Sequence, residues 1–301
     1  MFAIAVDIGG TKIAAAAVWP DGSVRHRAQV ATPEGSGDTV WTAAAGVIGA
    51  VLHDVDIAEC AGVGVATAGP IDLVAGTVSP VNIPGWRGFP IVDHLRATVP
   101  GCDVRIAGDA VCMAVGEHWR GAGQGCDDMV GMVVSTGVGG GLIIGGRPLV
   151  GPSGNAGHLG HISVDLDGPP CACGGVGCVE AIASGRSIAA WAVLNGFGGE
   201  QTAIAVAEAA RAGDTVAIAA FDRAGRAIGS MLAGTATVLD VHVAVIGGGV
   251  ANAGELLLAP IRRSIERYAG LAYARSFELR RAALGADAGL VGAAALVLAA
   301  P

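Results

Sequence analysis

Three of the seven cysteines lie within eight residues, and this run constrains the fold more than any other part of the chain. Cys171, Cys173 and Cys178 follow two histidines, His158 and His161. Thiolates and imidazoles at close spacing are the ligands of tetrahedral zinc. The alternatives are a disulfide pair or plain structural thiols, but Cys171 and Cys173 are too close in sequence for their Cβ atoms to face each other easily. The run therefore predicts a zinc knuckle, with five candidate ligands for four positions.

A glycine turn with the sequence DIGGTK, residues 7–12, joins two strand patterns at Phe2–Val6 and Ile13–Val18. Backbone N–H groups of such a hairpin can bind phosphate oxygens, although an ordinary hairpin has the same glycines. Lys12 is the only lysine of the chain, which indicates that a compact point charge is needed there. Asp7 could hold Mg²⁺ through water.

The same design returns later in the chain. A strand pattern at Met129–Ser135 is followed by a glycine turn, Thr136–Gly141, and by a return strand, Leu142–Ile144. A third glycine cluster, Gly247–Gly249, follows a strand pattern at His242–Ile246. Two copies of one hairpin design predict two lobes built on one plan, each with a phosphate-binding hairpin.

Two further positions are ambiguous from the residues alone. Asp109 follows a short strand, Val104–Ala107, and begins a helix, so it is either a helix cap or a functional carboxylate. Gly69 stands where a strand meets a Gly-Pro turn, which is either the rim of a site or a plain turn. Helical periodicity predicts Thr39–His53, Ala181–Leu194, Thr202–Ala212, a helix capped by Asp214 that reaches Leu239, Glu255–Tyr268, and a helix capped by Asp287 that reaches Ala299.

Composition excludes several classes of protein. The 301 residues favour about two domains, and 52% hydrophobic with 15% charged residues predicts a packed core. A net charge of −8 argues against a nucleic-acid partner. The apolar runs are interrupted well before the ~18 residues of a membrane span. Seven cysteines without a framework spacing, and no basic leader before the first strand, predict a cytoplasmic protein.

The segment AGHLGH…CACGGVGCVEAIASG resembles the signature of the ROK family of repressors, open reading frames and sugar kinases, and DIGGTK resembles the first phosphate loop of the actin, Hsp70 and sugar-kinase superfamily. The resemblance implies a two-lobed α/β fold of the actin, Hsp70 and sugar-kinase type (ribonuclease H-like), with a cleft between the lobes and a zinc knuckle. We expect the first lobe at residues 1–110, completed by a C-terminal helix at 286–301, and the second lobe at 111–285.

The resemblance also implies an ATP-dependent sugar kinase that uses Mg²⁺ with its nucleotide and holds structural Zn²⁺. Asp109 aligns with the catalytic base of the family motif Asn-Asp-Ala, although Gly108 departs from its asparagine. The expected sugar contacts are Gly69, Asn82, Asp109, His158, His161 and Glu180. The expected ATP contacts are Asp7, Gly9, Gly10, Thr11, Lys12, Thr136, Gly137, Val138, Gly139, Gly248 and Gly249. The implied zinc ligands are His161, Cys171, Cys173 and Cys178, and we expect a homodimer.

His158 bears on the choice of sugar, because the family pattern Ala-Gly-Glu-x-Gly-His has a glutamate at this position. An imidazole can donate a hydrogen bond, which suits the carbonyl oxygen of an N-acetyl group. This histidine, with the runs GCVEAIASGR and STGVGGG, is similar to bacterial N-acetylmannosamine kinases. Glucose or N-acetylglucosamine is the alternative substrate. A sugar-responsive repressor without catalysis is the alternative of a different class, which the acidic balance disfavours.

Overall fold

The computed structural model describes residues 1–80 and 83–299. Contacts between Cα atoms divide the chain into two compact units. The first unit comprises Met1–Cys126, Gly141–Gly157 and the chain from Ala283 onward, and the second comprises Asp127–Gly140 and His158–Ala282. Both units contain helices and strands, so the predicted α/β class is confirmed.

The strands are β1 (Phe2–Ile8), β2 (Lys12–Val18), β3 (Val24–Ala31), β4 (Cys60–Thr67), β5 (Ile71–Asp72), β6 (Thr77–Val78), β7 (Val104–Gly108), β8 (Met129–Val134), β9 (Val138–Ile144), β10 (Arg147–Pro148), β11 (Val243–Gly247) and β12 (Glu278–Arg281). The α-helices are α1 (Gly37–His53), α2 (Ile91–Thr98), α3 (Asp109–Arg120), α4 (Val179–Ala183), α5 (Gly185–Leu194), α6 (Ala203–Arg211), α7 (Thr215–Leu239), α8 (Glu255–Tyr268), α9 (Ala272–Arg275) and α10 (Ala288–Leu298). No helix within the described residues has the length and apolar character needed to cross a membrane.

The main sheet of the first unit has five strands in the order β3-β2-β1-β4-β7. β1, β2 and β3 are antiparallel neighbours, whereas β4 and β7 run parallel to β1. Almost every side chain of β1, β2 and β4 is buried. Helices cover the sheet on both faces, and this is why these strands read as continuous apolar runs rather than as alternating patterns.

The helices of the first unit divide between the two faces of β1, because successive side chains of a strand point in opposite directions. Ile4 and Val6 join a buried core with Val40 and Ile48 of α1. On the opposite face, the start of α10 lies against Asp7, since a Cβ atom at Gly289 would be 2.9 Å from the Asp7 carboxylate. The C-terminal helix therefore belongs to the first unit.

The units differ from the predicted lobes at α3 and at Gly141–Gly157, because the prediction gave most of α3 and all of Gly141–Gly157 to the second lobe and both lie in the first unit. The predicted lobe limit at residue 110 falls inside α3, whereas the first unit continues to Cys126. The physical reason is the close packing of α3 on α10. A Cβ atom at Gly292 would lie 1.6 Å from the carbonyl oxygen of Cys112, and one at Gly116 would lie 2.5 Å from that of Ala288. Glycine at both positions lets the two helix backbones touch.

A second sheet has the order β10-β9-β8-β11-β12, and β11 is parallel to both β8 and β12. The second unit contains the whole of β8, β11 and β12, the first residues of β9, and helices α4 to α9. The longest helix, α7, begins where Asp214 accepts a hydrogen bond from the Ala217 N–H at 2.8 Å. This cap confirms the predicted start of that helix.

Three details of the secondary structure correct the sequence prediction. β9 begins at Val138, not at Leu142, so the glycines after Val138 lie in the strand rather than in a turn. The helix predicted over Ala181–Leu194 is two helices, because Ser184 has extended backbone and caps α5 by accepting from the Ser187 N–H. Asp287 precedes α10 but makes no side-chain cap, because its carboxylate pairs with Arg27.

Candidate active site

The glycine turn of the first unit lies at the carboxyl ends of three parallel strands. Register pairs align Ile8 with Thr67 and Thr67 with Gly108. The turn after β1, Gly69 after β4, and Asp109 after β7 therefore lie at one edge of the sheet. This is the edge at which open α/β sheets bind their ligands.

Hydrogen bonds hold the turn between β1 and β2 in a fixed shape. The Gly9 N–H donates to the carbonyl oxygen of Lys12 at 2.9 Å. Thr32, after β3, fixes the turn from the side, because its hydroxyl donates to the Gly9 carbonyl at 2.7 Å and its N–H donates to the Thr11 carbonyl at 3.1 Å. Gly10 is half-buried and Thr11 is exposed. Sequence reasoning missed Thr32, since a threonine beyond an edge strand carries no local signal.

Asp7 and Asp109 repel each other electrostatically in the first unit. Burial, with the Asp109 charge as the next cause, raises the pKa of Asp7 to about 6, while Lys12 and Arg27 act in the opposite direction. A carboxyl that is costly to ionise gains from a bound cation. The turn therefore carries a carboxylate that could bind a cation, Asp7, and a positively charged side chain, Lys12.

Asp109 begins α3 rather than capping it. The N-cap position is Gly108, which makes no side-chain cap. The carboxylate of Asp109 is exposed and accepts a hydrogen bond from the Ala110 N–H at 2.7 Å. The helix dipole favours the ionised carboxylate at this position. Of the two alternatives left open by the sequence, the interpretation of Asp109 as the N-cap residue is therefore wrong.

In the second unit, Glu180 connects the helix after the knuckle to the β8–β9 hairpin. Its Oε2 atom accepts a hydrogen bond from the Val138 N–H at 2.9 Å. Gly137 leaves room for this contact, because a Cβ atom there would lie 2.5 Å from the same oxygen and Glu180 would have to move away. The hairpin is closed by the Ser135 N–H, which donates to the Gly137 carbonyl at 2.8 Å. One oxygen of this predicted sugar contact is thus already bonded to the hairpin.

A cavity of about 600 Å³ lies within the second unit, beside the same hairpin. It brings together Thr136 and Gly249, two of the predicted ATP contacts. Gly137, Val138, Gly139 and Gly248 do not line it. Glycine at position 248 is instead required by the backbone, since Gly248 has φ +94° and a Cβ atom there would lie 2.4 Å from the Val134 carbonyl oxygen.

Most of this cavity is formed by residues that the sequence analysis did not single out. The polar members are Arg186, Gln201, Thr202, Arg211 and Asn252, and the apolar members include Ile204, Ala207, Phe221 and Val250. Only Arg186 stood in a quoted motif; its Nε–H donates to the Thr136 carbonyl at 3.3 Å. The others come from distant elements, and no spacing rule in the sequence connects them.

The structure brings the four predicted zinc ligands together in the second unit. The ligand atoms of His161, Cys171, Cys173 and Cys178 all lie within 4.8 Å of one another. The Cys173 and Cys178 sulfurs are 3.7 Å apart, and the Cys171 sulfur is 3.8 Å from Nδ1 of His161. A tetrahedral site with Zn–S bonds of ~2.3 Å places its sulfurs about 3.8 Å apart. The donor set and its spacing therefore fit zinc.

Local backbone geometry explains why the knuckle forms. Gly174 and Gly177 have φ values of +92° and +66°, which favour glycine. A Cβ atom at Gly177 would lie 1.6 Å from the Asp165 carbonyl oxygen. The Gly175 N–H donates to the Cys173 sulfur at 3.4 Å, and this hydrogen bond lowers the pKa of the Cys173 thiol.

His158 is the histidine outside this set of four. Its ring centroid is 6.1 Å from that of His161, and its side chain is exposed. Asn82, the remaining predicted sugar contact, lies outside the described residues. The nearby Trp86 is fully buried, and its indole N–H donates to the Gly37 carbonyl at 3.0 Å.

Comparisons with known proteins cover nearly the whole chain. A family model described as the ROK family matches residues 3–300. A glucokinase from Halalkalibacterium halodurans is 35% identical over 312 aligned residues, covering 98% of this chain and 94% of the relative. An N-acetylmannosamine kinase from Yersinia pseudotuberculosis is 35% identical over 293 residues, covering 97% and 96%. The solved structure of a ROK family glucokinase from Streptomyces griseus, in complex with glucose and AMPPNP, matches with a TM-score of 0.85 and 38% identity over 100% of both chains.

Proposed function

The chain belongs to the ROK family, and on this premise we propose that it is an ATP-dependent sugar kinase that phosphorylates N-acetylmannosamine. The general activity is supported by two kinases, one named for glucose and one for N-acetylmannosamine, that match at 35% identity along almost the full chain. The particular sugar rests on residues of this chain. A cytoplasmic location and a homodimer belong to the same proposal, and sedimentation velocity would test the dimer.

The observation that carries the proposal is the exposed carboxylate of Asp109 in the first turn of α3. This carboxylate is close enough to Asp7 to raise the pKa of Asp7. We assign Asp109 as the general base that accepts the proton of the attacking sugar hydroxyl. The helix dipole keeps this carboxylate ionised, as a base requires. Phosphoryl transfer needs mainly positioning and charge neutralisation beyond that proton transfer.

The first hairpin would hold phosphate groups of the nucleotide. Gly10 and Thr11 offer backbone N–H groups and a hydroxyl, and Lys12 adds the positive charge; Gly9 acts through the shape of the turn, since its N–H donates to the Lys12 carbonyl. Asp7 would bind Mg²⁺ through water, and its raised pKa supports this role because a dication favours the ionised carboxylate. The metal, when bound, supplies neutralisation of phosphate charge.

The cavity of the second unit would hold the nucleoside part of ATP. Its apolar members suit a flat heterocycle, and its polar members suit ribose hydroxyls. Arg186 and Arg211 add positive charge for a phosphate. Thr136, Gly248 and Gly249 belong to the predicted ATP contacts, and Gly137, Val138 and Gly139 would act through the shape of the hairpin.

The sugar would contact Gly69, Asn82, Asp109, His158, His161 and Glu180. Within this set, we assign His158 as the group that recognises the acetamido oxygen, because its ring can donate a hydrogen bond where a glutamate could only accept. Glucose is the second candidate substrate, favoured by the 38% identity to a solved glucokinase whose structure contains glucose. Zinc bound by His161 and the three cysteines would keep His158 and Glu180 at fixed positions.

Asp109→Asn tests the assignment of the base. General-base loss typically costs ~10²–10⁴-fold in rate, so ADP release in the presence of N-acetylmannosamine should fall by that range while ATP binding persists. Asp38→Asn is the matched control, since Asp38 is an exposed aspartate in the first turn of α1. If Asp109→Asn retains the turnover of Asp38→Asn, the base lies elsewhere.

A sugar panel tests the substrate. ADP release measured with N-acetylmannosamine, N-acetylglucosamine and glucose should give the highest kcat/KM for N-acetylmannosamine. His158→Glu should lower that value by at least about tenfold and leave glucose equal or improved, because a carboxylate cannot donate a hydrogen bond to the acetamido oxygen and would face it with a lone pair instead. A wild type that prefers glucose contradicts the choice of sugar. Sugar binding without any turnover would instead indicate a sensor.

A further inference from the structure

A second cavity, of about 770 Å³, lies wholly within the first unit. It is lined by α2, α3, α10, the strands β7 and β10, and the turn between β5 and β6. None of the residues assigned above to ATP, sugar or zinc lines it. Its volume is in the range of ~300–1,000 Å³ that is usual for small-molecule sites. The proposed kinase reaction therefore leaves this cavity without a role.

The walls of the cavity are mainly apolar. The apolar side chains come from α2, α3, β7, β9 and α10 and include Val92, Val104, Ile106, Val115, Ile143 and Leu296. Such a surface gains free energy by covering an apolar molecule. This apolar surface suits neither a sugar nor a nucleoside triphosphate, because their many hydroxyl or phosphate oxygens would lose hydrogen bonds to water without finding partners on these walls.

Arginine side chains from three different elements lie around these walls. Arg96 comes from α2, Arg105 from β7 and Arg147 from β10. Arg105 pairs with Asp103 at 3.1 Å, and Arg96 lies 3.9 Å from Asp93. The backbone of Arg147 pairs with Ile144 of β9, but its exposed guanidinium has neither an ion pair nor a hydrogen bond to any residue that the structure describes. The cavity thus carries an uncompensated guanidinium in a chain whose net charge is −8.

Trp119 is a second group at the cavity that has an unused donor. Its side chain is half-buried and lines the cavity. Its indole N–H has no acceptor within residues 1–80 and 83–299. Tryptophan offers a flat apolar surface and a single donor, so it suits a ligand that is apolar in one part and oxygen-bearing in another.

We propose that this cavity binds an amphipathic anion, meaning a molecule with one carboxylate or phosphate group attached to an apolar chain or ring. The acidic group pairs with Arg147, and the apolar part covers the aliphatic walls beside Trp119. A guanidinium without a partner is the group that an anion would bind at least cost, because no existing ion pair must be broken. A volume of about 770 Å³ favours a small molecule over a protein surface, which would need an interface of roughly 1,200–2,000 Å².

Isothermal titration calorimetry with octanoate tests the proposal directly. Octanoate should bind with one site per chain, and octyl phosphate in a parallel titration shows which acidic group is preferred. Acetate has the charge without the chain, and octanol has the chain without the charge. Both should bind at least about tenfold more weakly than octanoate, since the site uses charge and apolar surface together. Octanol binding as tightly as octanoate, or no binding by either acid, overturns the proposal.

The charge partner is tested with a pair of matched variants. Arg147→Glu should weaken octanoate binding by at least about tenfold, whereas Arg281→Glu, at another exposed arginine in β12, should leave it unchanged. Both variants should keep the turnover of the wild type without octanoate. Equal binding to the two variants contradicts the assignment of Arg147. A change of sedimentation coefficient in Arg147→Glu alone would mean that this face joins two copies of the chain, and the proposal would then be wrong.

Discussion

Replacing Glu117 by glutamine tests how the first unit fixes the end of α3 to the segment before α10. Glu117 is fully buried. Its Oε2 atom accepts hydrogen bonds from the Ala122 N–H at 2.8 Å and the Ala283 N–H at 3.0 Å. Its Oε1 atom accepts one from the Leu284 N–H at 2.8 Å. A single carboxylate therefore satisfies three backbone donors from two segments that are far apart in sequence.

The magnitude follows from this geometry. Glutamine has one oxygen, so at least one of the three N–H groups would face an amide NH₂ group and lose its acceptor. A hydrogen bond to a charged group contributes ~1.5–3 kcal/mol, and a buried donor left unsatisfied costs ~1–3 kcal/mol. We expect Glu117→Gln to lower the free energy of unfolding of the first unit by about 3–5 kcal/mol.

Amide hydrogen exchange measured by mass spectrometry gives the local readout. Peptides that contain Ala122, Ala283 and Leu284 should exchange at least about a hundredfold faster in Glu117→Gln, because every 1.4 kcal/mol is about tenfold in an opening equilibrium. Glu266→Gln, the same change at an exposed position of α8, should leave these peptides unchanged. If exchange at these peptides rises less than about fivefold, the carboxylate does not hold the two segments together.

Three further predictions concern other parts of the molecule. The pKa of Asp7 is raised to about 6 by burial and then by Asp109, so the folded state binds the extra proton and loses stability as the pH rises through that value. Asp7→Asn should therefore raise the thermal midpoint at pH ~7.5 and give no gain near pH ~4; equal gains at both pH values contradict this. Cys178→Ser should remove most of the zinc found by elemental analysis and lower the thermal midpoint, whereas Cys126→Ser should change neither. Gly292→Ala should cost about 3 kcal/mol or more in urea unfolding, because its Cβ would lie 1.6 Å from a carbonyl oxygen of α3; Gly234→Ala, with open space in α7, should be neutral or stabilising.

Local patterns in the sequence predicted much of the fold. The four predicted zinc ligands lie in one short segment, so their convergence depends on a few turns, and the glycines with positive φ provide these turns. The helix Glu255–Tyr268 and the cap at Asp214 were predicted at their observed positions. Caps and periodicity act over a single turn of helix, and this is why they can be read from adjacent residues.

The sequence-based prediction was wrong where a residue distant in the chain contacts the side chain or glycine concerned. Asp287 was predicted to cap α10, but Arg27 of β3 binds its carboxylate. The glycines after Val138 were predicted as a turn, but they form a strand. A Cβ atom at Gly140 would lie 2.7 Å from Leu159, so tertiary packing explains a glycine that looks like a turn signal.

Adjacent residues were enough to indicate the family, the strand–turn–strand hairpins, the group of four predicted zinc ligands and the position of the Asp109 carboxylate at the start of a helix. These depend on residues close together in the chain. Long-range packing, by contrast, sets which unit contains α3, which donors Glu117 satisfies, and which side chains line the two cavities. Those outcomes depend on residues more than a hundred positions apart, such as Glu117 and Leu284, because elements distant in sequence meet only when apolar surfaces pack together.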